Sequence, residues 1–142
     1  MVADELFDVY VLDGKLDKAN ELISQVLKNN IEFYANDSYL ANRKINRLIK
    51  AGMPEHASEI LRELLNRTTK DDVIEDFKYK LANTYMLMYD KTNYYLEKAK
   101  ELYKDIISDY SQGIHTKNSK MYIDEILMRQ GFLNPSVVAA KY

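Results

Sequence analysis

Three alanines, Ala19, Ala57 and Ala99, each open the same phrase: small, polar, acidic, apolar, apolar, polar, polar, apolar, apolar. The phrases run from Ala19 to Leu27, from Ala57 to Leu65 and from Ala99 to Ile107. A small residue followed by an apolar stripe at helical spacing is how a repeated helix packs closely on its neighbour. A chain built this way folds as stacked helix pairs, each unit burying its apolar face only against the next.

Punctuation between the stripes agrees with that reading. Asp13-Gly14 ends a first helix carrying Leu6, Phe7, Tyr10 and Val11, because glycine readily takes the left-handed conformation that closes a helix. A second, about Leu16 to Asn29, holds Leu16, Ala19, Leu22, Ile23, Val26 and Leu27. Asn36-Asp37-Ser38 offers N-caps for a third, with Leu40, Ala41, Ile45, Leu48 and Ile49 inside. Gly52-Met53-Pro54 stops it and starts a fourth. Thr69 with Asp72 resembles a capping box for a fifth, which carries Val73, Phe77, Leu81, Ala82 and Tyr85. A sixth follows a loop around Asp90 to Asn93, a seventh runs from about Thr116 to Arg129, and Asn134-Pro135 opens an eighth. Seven to eight helices and no strand alternation make the chain all-α. Only four glycines and two prolines occur, too few turn-formers for a sandwich or barrel.

The alanine phrases and the intervening glycines resemble the tetratricopeptide repeat. The first unit offers Leu6, Phe7, Tyr10, Gly14, Ala19, Ile23 and Val26; the second Ile45, Leu48, Gly52, Ala57, Leu61 and Leu64. The third offers Leu81, Ala82, Tyr85, Ala99, Tyr103 and Ile106, and a partial fourth Ile123, Leu127 and Gly131. The resemblance implies a right-handed α-solenoid of antiparallel helix pairs in one domain, 1–142, with units about 3–30, 37–67, 70–110 and 115–142. The alanines stand 38 and 42 residues apart, against the family's period of 34, so related helix-pair repeats such as the Sel1-like class share the pattern. Tyr103 to Tyr110 followed by Lys117 to Lys120 is similar to units of bacterial cell-envelope repeat proteins. Both ends look truncated, and the chain reads as a fragment of a longer array.

The resemblance implies a non-enzymatic protein-interaction scaffold with a protein or peptide partner. Polar residues on the first helix of each pair would line a concave groove: Asp4 and Asp8, then Asn42, Arg43, Asn46 and Lys50, then Tyr79, Lys80 and Asn83. Asn46 and Asn83 fall at equivalent places, where an amide can bond both N–H and C=O of an extended peptide. Tyr89, Tyr94 and Tyr95, with Met86 and Met88, form a second surface suited to anchoring a partner.

Other chemistry finds little support. The two histidines, His56 and His115, have no ligand at i+3 or i+4 and are expected on the solvated surface. Asp71, Asp72, Glu75 and Asp76 fit the positive end of a helix dipole rather than an acid–base pair. Arg43, Lys44, Arg47 and Lys50 read as a solvated basic face. With a formal charge of −2 and no aromatic interleaving, nucleic acid is not an expected partner. No apolar run approaches the roughly 18 residues of a membrane helix, so direct membrane insertion is not expected. No cofactor, metal or catalytic residue is expected either. The absence of cysteine suits periplasm or cytosol alike. The expected setting is a bacterial envelope assembly, in the periplasm, of secretion, outer-membrane assembly or flagellar-motor type, with self-association through open repeat ends as a further contact. A purely stacking module and an accessory domain of an enzyme are the alternatives.

Overall fold

The computed structural model describes residues 2–88 and 93–142, together with the backbone but not the side chain of Asp72. The described residues form nine helices and no strand. The fold is all-α and belongs to the α-solenoid class, built of adjacent helices packed pairwise. By its contacts the chain divides into two compact units, 1–67 and 68–142.

The first unit holds α1 (Val2–Leu12), α2 (Leu16–Asn30), α3 (Glu32–Ala35), α4 (Ser38–Lys50) and α5 (Pro54–Arg67). α1 pairs with α2, α4 pairs with α5, and α2 and α3 both lie against α5. Ala19 and Ala57 are fully buried where the pairs meet, beside Ile23, Leu27, Ile60 and Leu61. Burying each such aliphatic side chain is worth about 1.5–3 kcal/mol. The second unit holds α6 (Asp71–Leu87), α7 (Tyr94–Asp109), α8 (Thr116–Arg129) and α9 (Pro135–Lys141). Each packs on the next, with Ala99, Tyr103, Ile106 and Ile126 wholly enclosed.

The glycine turns close as the sequence requires. Gly14 and Gly52 take φ of 73° and 79°. The following N–H in each case bonds five residues back, Lys15 to Tyr10 and Met53 to Leu48, both at 2.8 Å. This is the hydrogen-bonded helix end that a left-handed residue makes possible. Asp37 caps α4 by accepting from the Leu40 N–H at 3.1 Å, and Asn134 caps α9 through the Ser136 N–H at 2.9 Å. Thr69 does not cap α6. Lys70 stands at that position and makes no side-chain cap bond. The four-residue α3 lies where no helix is expected. It forms because Tyr34, fully buried, is drawn inward to a carboxylate on α1.

Candidate binding surfaces

In the first unit, α1 and α4 meet across a buried charge network. Lys44, 1% exposed, places Nζ 2.9 Å from Asp4 Oδ1 and 2.8 Å from Asp8 Oδ1. It also donates to the Asp4 carbonyl at 3.2 Å and lies 4.5 Å from the Phe7 ring centroid. The Tyr34 hydroxyl donates to Asp4 at 2.8 Å, and Arg47 bonds the second oxygen of Asp8. Burial alone would raise the Asp4 pKa. The hydrogen bonds from Lys44 and Tyr34 outweigh it and hold the carboxyl below its ordinary range. The Tyr34 hydroxyl is pushed up by burial and by its carboxylate neighbour.

Three expectations are thereby corrected. Lys44 is not part of a solvated face, and Asp4 is not a groove residue. Asp8 is spent on two cations. Position was the available signal: Lys44 falls in the stripe of Ala41, Ile45 and Leu48, and Asp4 in that of Phe7 and Val11, at i, i+3, i+4 and i+7 spacing.

The remaining α4 residues make a true outer stripe. Tyr39, Arg43, Asn46 and Lys50 recur at helical spacing and are all exposed, Tyr39 at 77%. Asn42 is half-buried beside them. Asn46 and Lys50 make no ion pair or side-chain hydrogen bond among the described residues. Tyr39 places an aromatic ring one turn ahead of the cations on the same stripe. On the opposite side of α1 from Phe7, Val2, Leu6 and Val9 share one exposed face, with Leu12 beside them at 86%. Leu6, expected inward with Phe7, lies on this outer face at 36% exposed.

In the second unit the anticipated groove residues are tied into an aromatic cluster. Tyr79 of α6 stacks on His115 with centroids 4.0 Å apart and planes at 10°. Tyr103 of α7 stacks on Tyr122 of α8 at 5.3 Å, and Tyr79 meets Tyr103 edge-on at 6.2 Å. The Tyr103 hydroxyl donates to Asn83 Oδ1 at 2.5 Å. Burial raises the Tyr103 and Tyr122 pKa values, and Tyr79 and Glu125 add to it. Lys80 lies 3.7 Å from Asp76. Asn46 and Asn83, equivalent in sequence, are thus used differently. One amide faces water, and the other receives a tyrosine.

The histidines are half-buried and packed against side chains rather than free on the surface. His115 packs on Tyr79 and lies 3.1 Å from Asp76 Oδ1. His56 Nε2 lies 2.8 Å from Asn20 Oδ1, linking α5 to α2. Of the acidic group, Asp71 is exposed, while Glu75 is buried and accepts the His115 backbone N–H at 3.2 Å. Tyr94 is exposed and meets Tyr95 edge-on at 5.1 Å, and Tyr95 stacks on Tyr85 at 5.9 Å. Tyr89 lies outside the described residues, as does the Asp72 side chain. Among the described residues no helix is long and apolar enough to cross a membrane.

Helix pairs that expose polar stripes outside their own packing define a helical-repeat binding scaffold. Residues 45–68, the end of α4 with its turn and α5, match the PPR repeat, a helical-repeat family related to the tetratricopeptide repeat. No curated protein and no solved structure matches the chain.

PPR repeats typically bind RNA, with one base read by two or three side chains of a repeat. The expectation that nucleic acid is not a partner is therefore overturned. Its physical fault was to argue from the charge of the whole chain. Reading a base depends on local stacking and hydrogen bonding, and a net charge of −2 does not report on these.

Proposed function

We propose that this chain is a non-enzymatic scaffold whose first unit docks a protein partner through the outer face of α1. The observation that carries the reading is the aliphatic strip Val2, Leu6 and Val9, exposed on the side of α1 away from its own core, with Leu12 exposed at the helix end. A contiguous apolar face on a water-facing helix is favourable only when another surface covers it. Aliphatic side chains offer a nucleobase no ring to stack on, whereas a partner helix packs on them directly. The setting that accompanies this proposal is a bacterial envelope assembly, in keeping with the likeness of Tyr103 to Lys120 to such proteins; cell fractionation tests it.

Leu6→Glu with Val9→Glu should abolish recovery of protein partners from native extract while the helical circular dichroism is unchanged. Equal recovery by the variant and the wild type would sink the reading.

Two observations favour a second reading, single-stranded RNA on α4. They are the PPR match and the exposed run of Tyr39, Arg43, Asn46 and Lys50. Stacking on one aromatic is worth about 1–3 kcal/mol per base. Tyr39→Ala and Arg43→Ala should then weaken binding of labelled single-stranded RNA in fluorescence anisotropy, and the α1 variant should not.

A further inference from the structure

α9 is held to α8 at one carboxylate. Lys141 Nζ lies 3.2 Å from Asp124 Oδ2, and the Tyr142 hydroxyl donates to the same oxygen at 2.9 Å. These two groups leave the Asp124 side chain only 13% exposed. Elsewhere the fit is loose. No side chain of α9 is buried, whereas even the four-residue α3 encloses Tyr34. A cavity of about 430 Å³ separates the two helices, with Met121, Tyr122 and Met128 on the α8 side and Val138, Ala139 and Tyr142 on the α9 side.

A helix of seven residues does not keep its shape unaided, since isolated helices shorter than about 12–15 residues are marginal in water. α9 therefore depends on its anchors, the Asn134 cap and the two bonds to Asp124. The groove adds little, because atoms lining a void lack partners on that side. Both Asp124 bonds come from exposed side chains, and such contacts hold by a small margin. A competitor that brings the same bonds and fills the void better displaces α9.

From this geometry we infer that α9 is a displaceable strap latched by Asp124, and that the α8 face beneath it docks a basic amphipathic helix of a protein partner. The present occupant shows what that helix must carry. Aliphatic residues face Met121, Tyr122 and Met128, and a cation reaches Asp124 from three positions beyond the first of them, as Lys141 follows Val138. Methionine adapts its shape to the incoming side chains, and an apolar helix face laid in a groove is a recurrent mode of recognition. A phosphate backbone is the poorer occupant, because the contact to be replaced brings a cation to a carboxylate. This surface belongs to the second unit and is independent of the α1 face.

The test breaks the latch from the α9 side and leaves Asp124 in place. In the full chain, Lys141→Gln with Tyr142→Phe alters exposed side chains only, so the fold is retained. Amide hydrogen exchange across α9 should quicken about tenfold while that of α8 is unchanged. The probe is the acetylated and amidated peptide of residues 134–142, titrated into chain labelled at the methionine methyls. It should shift Met121 and Met128 and bind the unlatched chain about tenfold more tightly than the wild type. Adding Asp124→Asn to the unlatched chain, or replacing the peptide's lysine by glutamine, should remove most of that gain. Unchanged exchange in α9, equal binding to both chains, no binding, or binding indifferent to Asp124 would each overturn the inference. Oligouridine shifting Met121 and Met128 where the peptide does not would overturn it in favour of RNA. Leu6→Glu with Val9→Glu should leave the peptide titration unchanged, so the strap can fail while the scaffold reading stands.

Discussion

Lys44 on α4 and Asp4 on α1 form an ion pair of 2.9 Å in which each side chain is at most 4% exposed. The two residues are 40 positions apart, yet each completes the other's coordination. Asp4 receives Tyr34 as well, and Lys44 reaches Asp8. Removing one partner from a buried pair strands a charge and costs about 3–5 kcal/mol. Lys44→Ala should lower the urea midpoint by a corresponding amount. Lys44→Met combined with Asp4→Leu should cost clearly less than the two single changes added together. Additive losses would show that the residues act independently.

Acid should loosen the same seam. The folded Asp4 carboxyl has a pKa below its ordinary 3.8, so between the two values the unfolded chain binds more protons than the folded one. Stability contributed by Asp4 is fully present above that range and is lost as pH falls through the folded pKa. Asp4→Asn should be less stable than the wild type at pH 7, with the gap narrowing below about pH 4. Urea titrations at pH 7 and pH 3 measure it.

Gly113 fits where no side chain would. A Cβ there would meet the Glu75 carboxyl carbon and the Tyr110 Cβ, both at 2.9 Å. Glu75 is held by the His115 N–H, so it cannot move aside without losing that half-buried bond. Gly113→Ala should destabilise by about 1–3 kcal/mol, read by thermal melting. The same change at residues 75 and 113 together, Glu75→Ala with Gly113→Ala, should relieve part of the clash but not restore wild-type stability.

Tyr103→Phe removes the hydroxyl that donates to Asn83 and leaves the stack on Tyr122 in place. A net hydrogen bond is worth about 0.5–1.5 kcal/mol, so a loss in that range is expected. A change of less than about 0.3 kcal/mol would mean that water serves Asn83 equally well.

The helices were readable because their signals are local. Helical spacing of apolar residues, Asp37 and Asn134 as caps, and glycine at 14 and 52 all act within a few positions. The Lys44 network was not readable as a contact, since its carboxylates lie 36 and 40 residues away and a charged residue in an apolar stripe is ordinarily expected to turn outward. α3 escaped for the same reason, because Tyr34 is placed by Asp4 on another helix and not by its neighbours in sequence. The outward set on α4 is legible in Arg43, Asn46 and Lys50, whereas Tyr39 sits a turn ahead of the charges and outside the basic run. Tyr79 and Asn83 stand in the sequence as polar positions on a helix. Their partners, His115 and Tyr103, come from distant parts of the chain.

Ala19, Ala57 and Ala99 are each wholly enclosed, and each acts as a spacer that sets how near two backbones come. A spacer fixes a distance and says nothing about how much chain lies before the next one. The unequal intervals of 38 and 42 residues are what such a rule permits. Length can therefore be added to the exposed connections at little cost, while a single added methyl group at any of the three alanines would press directly on a neighbouring helix.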